Sequence, residues 1–213
     1  ADGARRVGAH RSAAPQYERA LASGALADSA AATAWEQLAR ECSAFADDAG
    51  ALRACEAARA IWRRPGSADD EGRALALLAR VLRDRGHGSD AHATIREAIE
   101  RFRDRPDSPA KAVALSIGAL LLMLARQGDE AVELGWRAAG VAARTGDDRS
   151  LASALNAVGS SLWLLDPGAA QEPLVRSRDI AARLGDDISV ASALINLGSG
   201  AGETREYPTA ERW

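Results

Sequence analysis

The sequence predicts an all-α fold, a stacked solenoid of helix pairs, and three observations carry that prediction. First, small residues seven apart recur along the chain: Ala13/Ala20, Ala51/Ala58, Ala91/Ala98, Ala131/Ala138 and Ala170/Ser177, then Ala210 alone. Their first members lie 38, 40, 40, 39 and 40 residues apart, and regular self-similarity at such a period marks an array in which each unit touches only its neighbours. Second, Leu75, Leu78, Ala79 and Leu82 follow the 3–4 spacing of a buried helical stripe, and Leu115, Ala119 and Leu122 repeat it one unit later. Third, 47% of residues are hydrophobic but only 4% aromatic. The apolar content is therefore largely Ala and Leu, which favour helix and close helix–helix packing.

The elements follow in order. Outer helices, which carry the small-residue pairs, are expected near residues 10–23, 49–63, 88–104, 129–145 and 170–184. Inner helices alternate with them near 28–46, 69–85, 109–126, 148–165 and 187–203, and a further outer segment begins at about Tyr207. Gly146-Asp147-Asp148 and Gly185-Asp186-Asp187 divide outer from inner helices, with Gly taking the left-handed position and Asp capping the next N-terminus. Asp28-Ser29, Ser67 to Asp70 and Asp107-Ser108-Pro109 are expected to cap in the same way, while Gly86, Gly88, Gly128 and Gly168 mark tight turns. Pro15, Pro173 and Pro208 lie near outer-helix starts, where a missing N–H costs little. Pro15 and Pro173 fall just past the repeat marker, so those helices are expected to start late or kink.

The formal net charge of −3 gives no overall draw toward nucleic acid or an anionic membrane. Lys111 is the only lysine. Cys42 and Cys55 are too few for a disulfide framework and read as buried apolar fillers. No run reaches the roughly 18 apolar residues that span a bilayer, and no secretory leader precedes the first helix, so a reduced cytoplasmic setting is expected. The chain begins at Ala1, has Met123 as its only methionine and stops at Trp213, which suggests a piece of a longer protein.

At spaced positions the units resemble tetratricopeptide repeats: Leu38/Ala39, Leu78/Ala79, Gly118/Ala119 and Leu197-Gly198 on inner helices, with Tyr207 and Ala210 in the last unit. Ordinary members of that family repeat every 34 residues or so, whereas these units run near 40. Lengthened repeats of this kind are similar to the middle region of large LuxR-type transcription regulators. Gln16-Tyr17-Glu18-Arg19-Ala20-Leu21 and Ile180-Ala181-Ala182-Arg183-Leu184-Gly185-Asp186 share that character. The resemblance implies a right-handed superhelix of about five and a half helix pairs, one repeat domain over residues 1–213 with units near 1–25, 26–66, 67–106, 107–146, 147–185 and 186–213. It also implies an ATPase upstream and a helix-turn-helix downstream in the parent. Neither lies here: Lys111 sits in a helix start, not a Gly-rich phosphate loop, and no recognition helix stands out.

In that architecture the inner helices line a concave groove, the usual binding face. The family register places Arg40, Arg73, Arg80 and Arg83 there, then Leu120, Met123 and Leu124, then Leu155, Leu162 and Trp163. The groove would change from basic to apolar along its length, with Arg offering forked donors and exposed apolar groups marking a contact surface. The alternative for each is ordinary packing or solvated charge. Asn156 and Asn196, 40 apart in Leu155-Asn156-Ala157 and Ile195-Asn196-Leu197, read as one register position. Their amides can hold a peptide backbone, or can bond an adjacent helix.

Other chemistry is weak. His87 and His92 are five apart, which does not align two imidazoles on a helix, and His10 stands alone, so no metal is expected. The acidic clusters Asp47-Asp48, Asp69-Asp70-Glu71, Asp147-Asp148 and Asp186-Asp187 lie at helix starts, where negative charge is favoured, and read as caps rather than acid–base pairs. Ser199 between Gly198 and Gly200 imitates a nucleophile motif but falls within a helix, where a small residue serves helix contact. Trp62 and Trp136 lie on outer helices as junction packers, Trp136 being also a possible oligomer contact. The expected function is a non-catalytic module without cofactors that binds a protein, a peptide or a small effector. It would act as sensor or relay beside the ATPase and helix-turn-helix of a cytoplasmic regulator, with no direct nucleic-acid or membrane contact. The alternative is a passive scaffold or a homo-oligomerisation module.

Overall fold

A computed structural model describes residues 10–63 and 68–203, with side chains from residue 12 onward. The described residues form ten helices: α1 (His10–Ala22), α2 (Asp28–Ala44), α3 (Asp48–Trp62), α4 (Ala68–Asp84), α5 (Gly88–Arg101), α6 (Pro109–Leu124), α7 (Gly128–Thr145), α8 (Asp148–Leu165), α9 (Pro167–Arg183) and α10 (Asp187–Glu203). They fall into two compact units, Ala1–Arg101 and Phe102–Trp213. Within each, every helix packs on the next in sequence, and inner helices also touch one another: α2 on α4, α6 on α8, α8 on α10. The outer segment expected from Tyr207, with Pro208 and Ala210, lies outside the described residues, as do Ser67 and the side chain of His10.

The small-residue markers explain the stacking. Ala13, Ala51, Ala58, Ala91, Ala98, Ala131, Ala138 and Ala170 are all fully buried. Ala20 is half-buried, and Ser177, which stands where the other pairs have alanine, is buried, its hydroxyl donating to the carbonyl of Ala152 on α8 at 2.7 Å. The α8–α9 approach is closer still. A Cβ on Gly159 would lie 2.6 Å from Leu174 Cγ and 2.8 Å from the Ala170 carbonyl oxygen, so only glycine fits.

Helix boundaries follow their local chemistry. Gly146 closes α7 with φ 70°, Gly185 follows α9 with φ 65°, and Asp147 and Asp186 accept from the N–H groups of Ser150 and Ser189. Asp47 caps α3 and Ser108 caps α6 ahead of Pro109. Several expectations change: Ala27 rather than Asp28 is the N-cap of α2, with no side-chain cap bond, and Gly168 lies in the first turn of α9 rather than in a tight turn. Pro15 and Pro173 lie inside α1 and α9, and α9 starts at Pro167, where the missing N–H is harmless, rather than late. Asp107 does not cap; it pairs with Arg144 and Lys111.

Unit 1 holds its core around Leu38, Leu77, Leu78 and Val81 with the two cysteines. Cys42 and Cys55 are buried and unbridged. Burial, the largest effect, raises the Cys42 thiol to about 11 and the Cys55 thiol to about 12. In unit 2, Trp163, Ala170, Leu174, Leu197 and Ala201 cluster across α8, α9 and α10.

Candidate functional site

The basic half of the expected groove is largely committed to the fold. Glu36 on α2 is 2% exposed and accepts from Trp62 Nε1 at 2.9 Å, Arg73 Nε at 3.0 Å and Arg73 Nη2 at 3.1 Å. A buried carboxylate requires such compensation. Arg73 also meets Asp70 at 3.1 Å, and its guanidinium carbon lies 6.0 Å from the centre of the Trp62 ring. Burial lowers the pKa of Arg73, but the bonds and charge of Glu36 outweigh it and raise the value overall. Arg73 is therefore a structural cation joining α2, α3 and α4, not an available groove residue. Arg83 pairs with Asp84. Arg40 and Arg80 are half-buried, and their charges act on the Cys55 thiol against its burial.

The apolar half divides. Leu155 is 1% exposed; α8 turns it into the core, which corrects its assignment to the groove. Leu120 and Leu162 are half-buried. Met123, Trp163 and Asn196 converge on one cleft of about 310 Å³ in unit 2, at the C-terminal ends of α6, α8 and α10. Leu124 and Leu164 join its lining and are 49% and 57% exposed. Arg126, Ser160, Ser199 and Glu203 supply its polar walls.

The two asparagines meet: Asn196 Nδ2 donates to Asn156 Oδ1 at 2.6 Å, and Ser160 Oγ donates to the same oxygen at 3.3 Å. They are not one register position. Asp147 and Asp186 cap Ser150 and Ser189 identically, so Ser150-Leu151-Ala152-Ser153-Ala154-Leu155 aligns with Ser189-Val190-Ala191-Ser192-Ala193-Leu194 at an offset of 39. Asn196 then matches Ala157, and Ile195 matches Asn156. This one-residue shift lets the amides pair across α8 and α10 instead of projecting side by side. Asn196, whose Nδ2 is engaged by Asn156, lines the cleft.

Trp163 is 4% exposed, yet its Nε1 has no acceptor, and Ser161 Oγ is likewise buried without a partner. The indole lies so close to Gly200 that any side chain there would intrude on the ring. Ser199, beside it, is exposed on the cleft wall, so Gly200 rather than Ser199 makes the close helix contact.

Sequence reasoning missed several residues. Ser160, Gly200, Leu164 and Glu203 become neighbours of Met123 only through helix stacking. A second cleft of about 340 Å³ in unit 1 lies among Leu21, Trp35, Leu38, Cys42 and Arg53; the run of small residues around Trp35 hid it. His87 Nδ1 lies 4.0 Å from Asp90 at an exposed helix start. Among the described residues no group of three or more His, Cys, Asp and Glu side chains is placed to hold a metal ion, and no helix is long and apolar enough to cross a membrane.

Against known proteins, no family model matches the chain, and no curated protein matches its sequence. Its fold is well represented among crystal structures. BtubC (BKLC) from P. vanneervenii superposes with a TM-score of 0.70 at 18% identity, covering 98% of this chain and 86% of that one. A Podosopora anserina protein whose nearly identical TPR-like repeats are of kinesin light chain type gives 0.62 at 18% identity, over 86% of this chain and 92% of that one. A Rap protein complexed with Competence and Sporulation Factor gives 0.67 at 13% identity, over 84% of this chain and 52% of that one. The fold is thus an all-α tetratricopeptide-like solenoid. Its repeat length departs from the ordinary family unit.

Proposed function

We propose that this chain is a non-catalytic binding module whose cleft at the ends of α6, α8 and α10 receives a peptide segment of a protein partner. The observation that carries the reading is the convergence of Met123, Trp163 and Asn196 with the exposed Leu124 and Leu164. Exposed leucines seat an apolar side chain, while an amide oxygen accepts a peptide N–H. The Rap structure, bound to its factor, offers a precedent in the same fold. Within a cytoplasmic LuxR-type regulator, such binding would act as sensor or relay by shifting the population of two states of the parent, which requires the ligand to prefer one of them. Panning a phage-displayed random dodecapeptide library on the chain tests the cleft. Selected peptides should lose at least about tenfold in affinity with Leu164→Asp and with Asn196→Ala, a change of about 1.4 kcal/mol. Peptides that bind both variants as tightly as the parent would remove the cleft from consideration.

A further inference from the structure

Unit 2 carries a second surface feature, separate from the cleft and on an outer helix. Between α6 and α7 a groove of about 360 Å³ is walled by Trp136, Arg137, Gly140 and Arg144 on one side and by Asp107 and Lys111 on the other. Trp136 is 44% exposed there. Its surroundings are charged, so the indole is not the centre of an apolar patch suited to self-association.

The charges are unbalanced. Asp107 takes Arg144 Nε and Nη2 at 2.7 Å each, and Lys111 Nζ lies 3.4 Å from it. Its carboxyl is held below the ordinary value, first by the hydrogen bond from Arg144. Arg137 has no ion-pair partner among the described residues. Three cations thus face one anion, a local positive excess in a chain whose net charge is −3.

Gly140 is the second observation. Glycine inside a helix costs about 1 kcal/mol relative to alanine. Gly135 and Gly159 meet a neighbouring helix, but a Cβ on Gly140 would meet only the guanidinium of Arg144, on its own helix, at 3.2 Å. Helix packing therefore does not require it. What it does is leave the groove floor open between Trp136 and Arg144. The corresponding positions on the other outer helices are filled: Ala22, Ala60, Glu100 and Asp179 stand for Gly140, and Glu18, Glu56, Arg96 and Val175 stand for Trp136. Only α7 combines the indole, the gap and the arginines.

We infer that this groove is a docking site for an acidic segment of a partner protein, with carboxylates on Arg137 and Arg144 and a flat apolar side chain on Trp136. Arg forks carboxylates and stacks on planar groups, and charge complementarity of this kind governs partner choice and encounter rate. The probe is an acetylated, amidated peptide of four glutamates around one phenylalanine, titrated calorimetrically into the whole chain. Binding is expected, weakened roughly tenfold or more by Arg137→Glu and by Gly140→Glu. It should be abolished in 1 M salt, where the screening length is about 3 Å. Arg137→Glu should melt close to the parent, because Arg137 is exposed and makes no ion pair among the described residues, whereas Gly140→Glu sets its gain in helix propensity against the 3.2 Å contact with Arg144. The same affinity in both variants, equal binding of the peptide with lysines in place of glutamates, or inorganic phosphate binding as tightly as the peptide would overturn the assignment.

Discussion

Removing the carboxylate of Glu36 is the sharpest test of how unit 1 is held together. The side chain joins three donors from two helices, Trp62 Nε1 and the Nε and Nη2 of Arg73, all within 2.9–3.1 Å. Glu36→Ala leaves the indole N–H buried without an acceptor, which costs about 1–3 kcal/mol. It also unpairs Arg73, and breaking a fully buried pair costs about 3–5 kcal/mol. The Arg73 side chain is 31% exposed and keeps Asp70, so it can turn partly to water and the lower end applies. The expected loss for Glu36→Ala is about 4 kcal/mol, the lower ends of the two costs together. Glu36→Gln keeps an acceptor for Trp62 and should lose about half of that. The assay is urea denaturation, where the midpoint should fall with the slope unchanged. In a double-mutant cycle with Arg73→Ala the two sites should couple by about 1 kcal/mol or more. A Glu36→Ala variant within about 0.5 kcal/mol of the parent, the range of ordinary surface substitutions, would refute the assignment of Glu36–Arg73 as a structural pair.

Three further outcomes are expected. Gly159→Ala should destabilise unit 2 by about 2 kcal/mol, because overpacking against the Ala170 carbonyl and Leu174 exceeds the gain in helix propensity; thermal melts of the two proteins check this. Gly86→Ala should cost about 1 kcal/mol by the same melts, since its φ of 79° is disfavoured for alanine while no atom crowds the site. The cysteines should resist a thiol-specific disulfide reagent at pH 8 until the chain unfolds. With the folded thiols raised to about 11 and 12, the stability from keeping them neutral is complete below the ordinary value of 9.0 and is lost as pH climbs through the raised values; reagent kinetics across that range report it.

Much of this architecture is legible in the sequence because a repeat writes the same packing rule several times. The Ala pairs mark buried contacts, except at Ala20, which is half-buried, and the Gly-Asp-Asp turns mark boundaries where expected. The site was harder to read, for physical reasons. A groove register assigns residues by helix face, but it does not see that a buried Glu36 claims Arg73 or that Leu155 turns into the core. Nor does a nominal forty-residue period reveal the one-residue shift set by the Asp147 and Asp186 caps, which brings Asn156 and Asn196 into contact. Met123 and Trp163 were findable because each sits near an inner-helix end, whereas Asn196 was reached through a forty-residue spacing from Asn156 that the caps do not support. Gly200 became visible only through its close contact with Trp163.

The central claim, that the ends of α6, α8 and α10 form the binding surface, is tested most directly by amide chemical-shift mapping with a panned peptide. The account predicts perturbations confined to residues 123–128, 160–164 and 196–203, the segments that line the cleft. Perturbations that instead fall around Leu21, Trp35 and Arg53, in the other cleft, would contradict it.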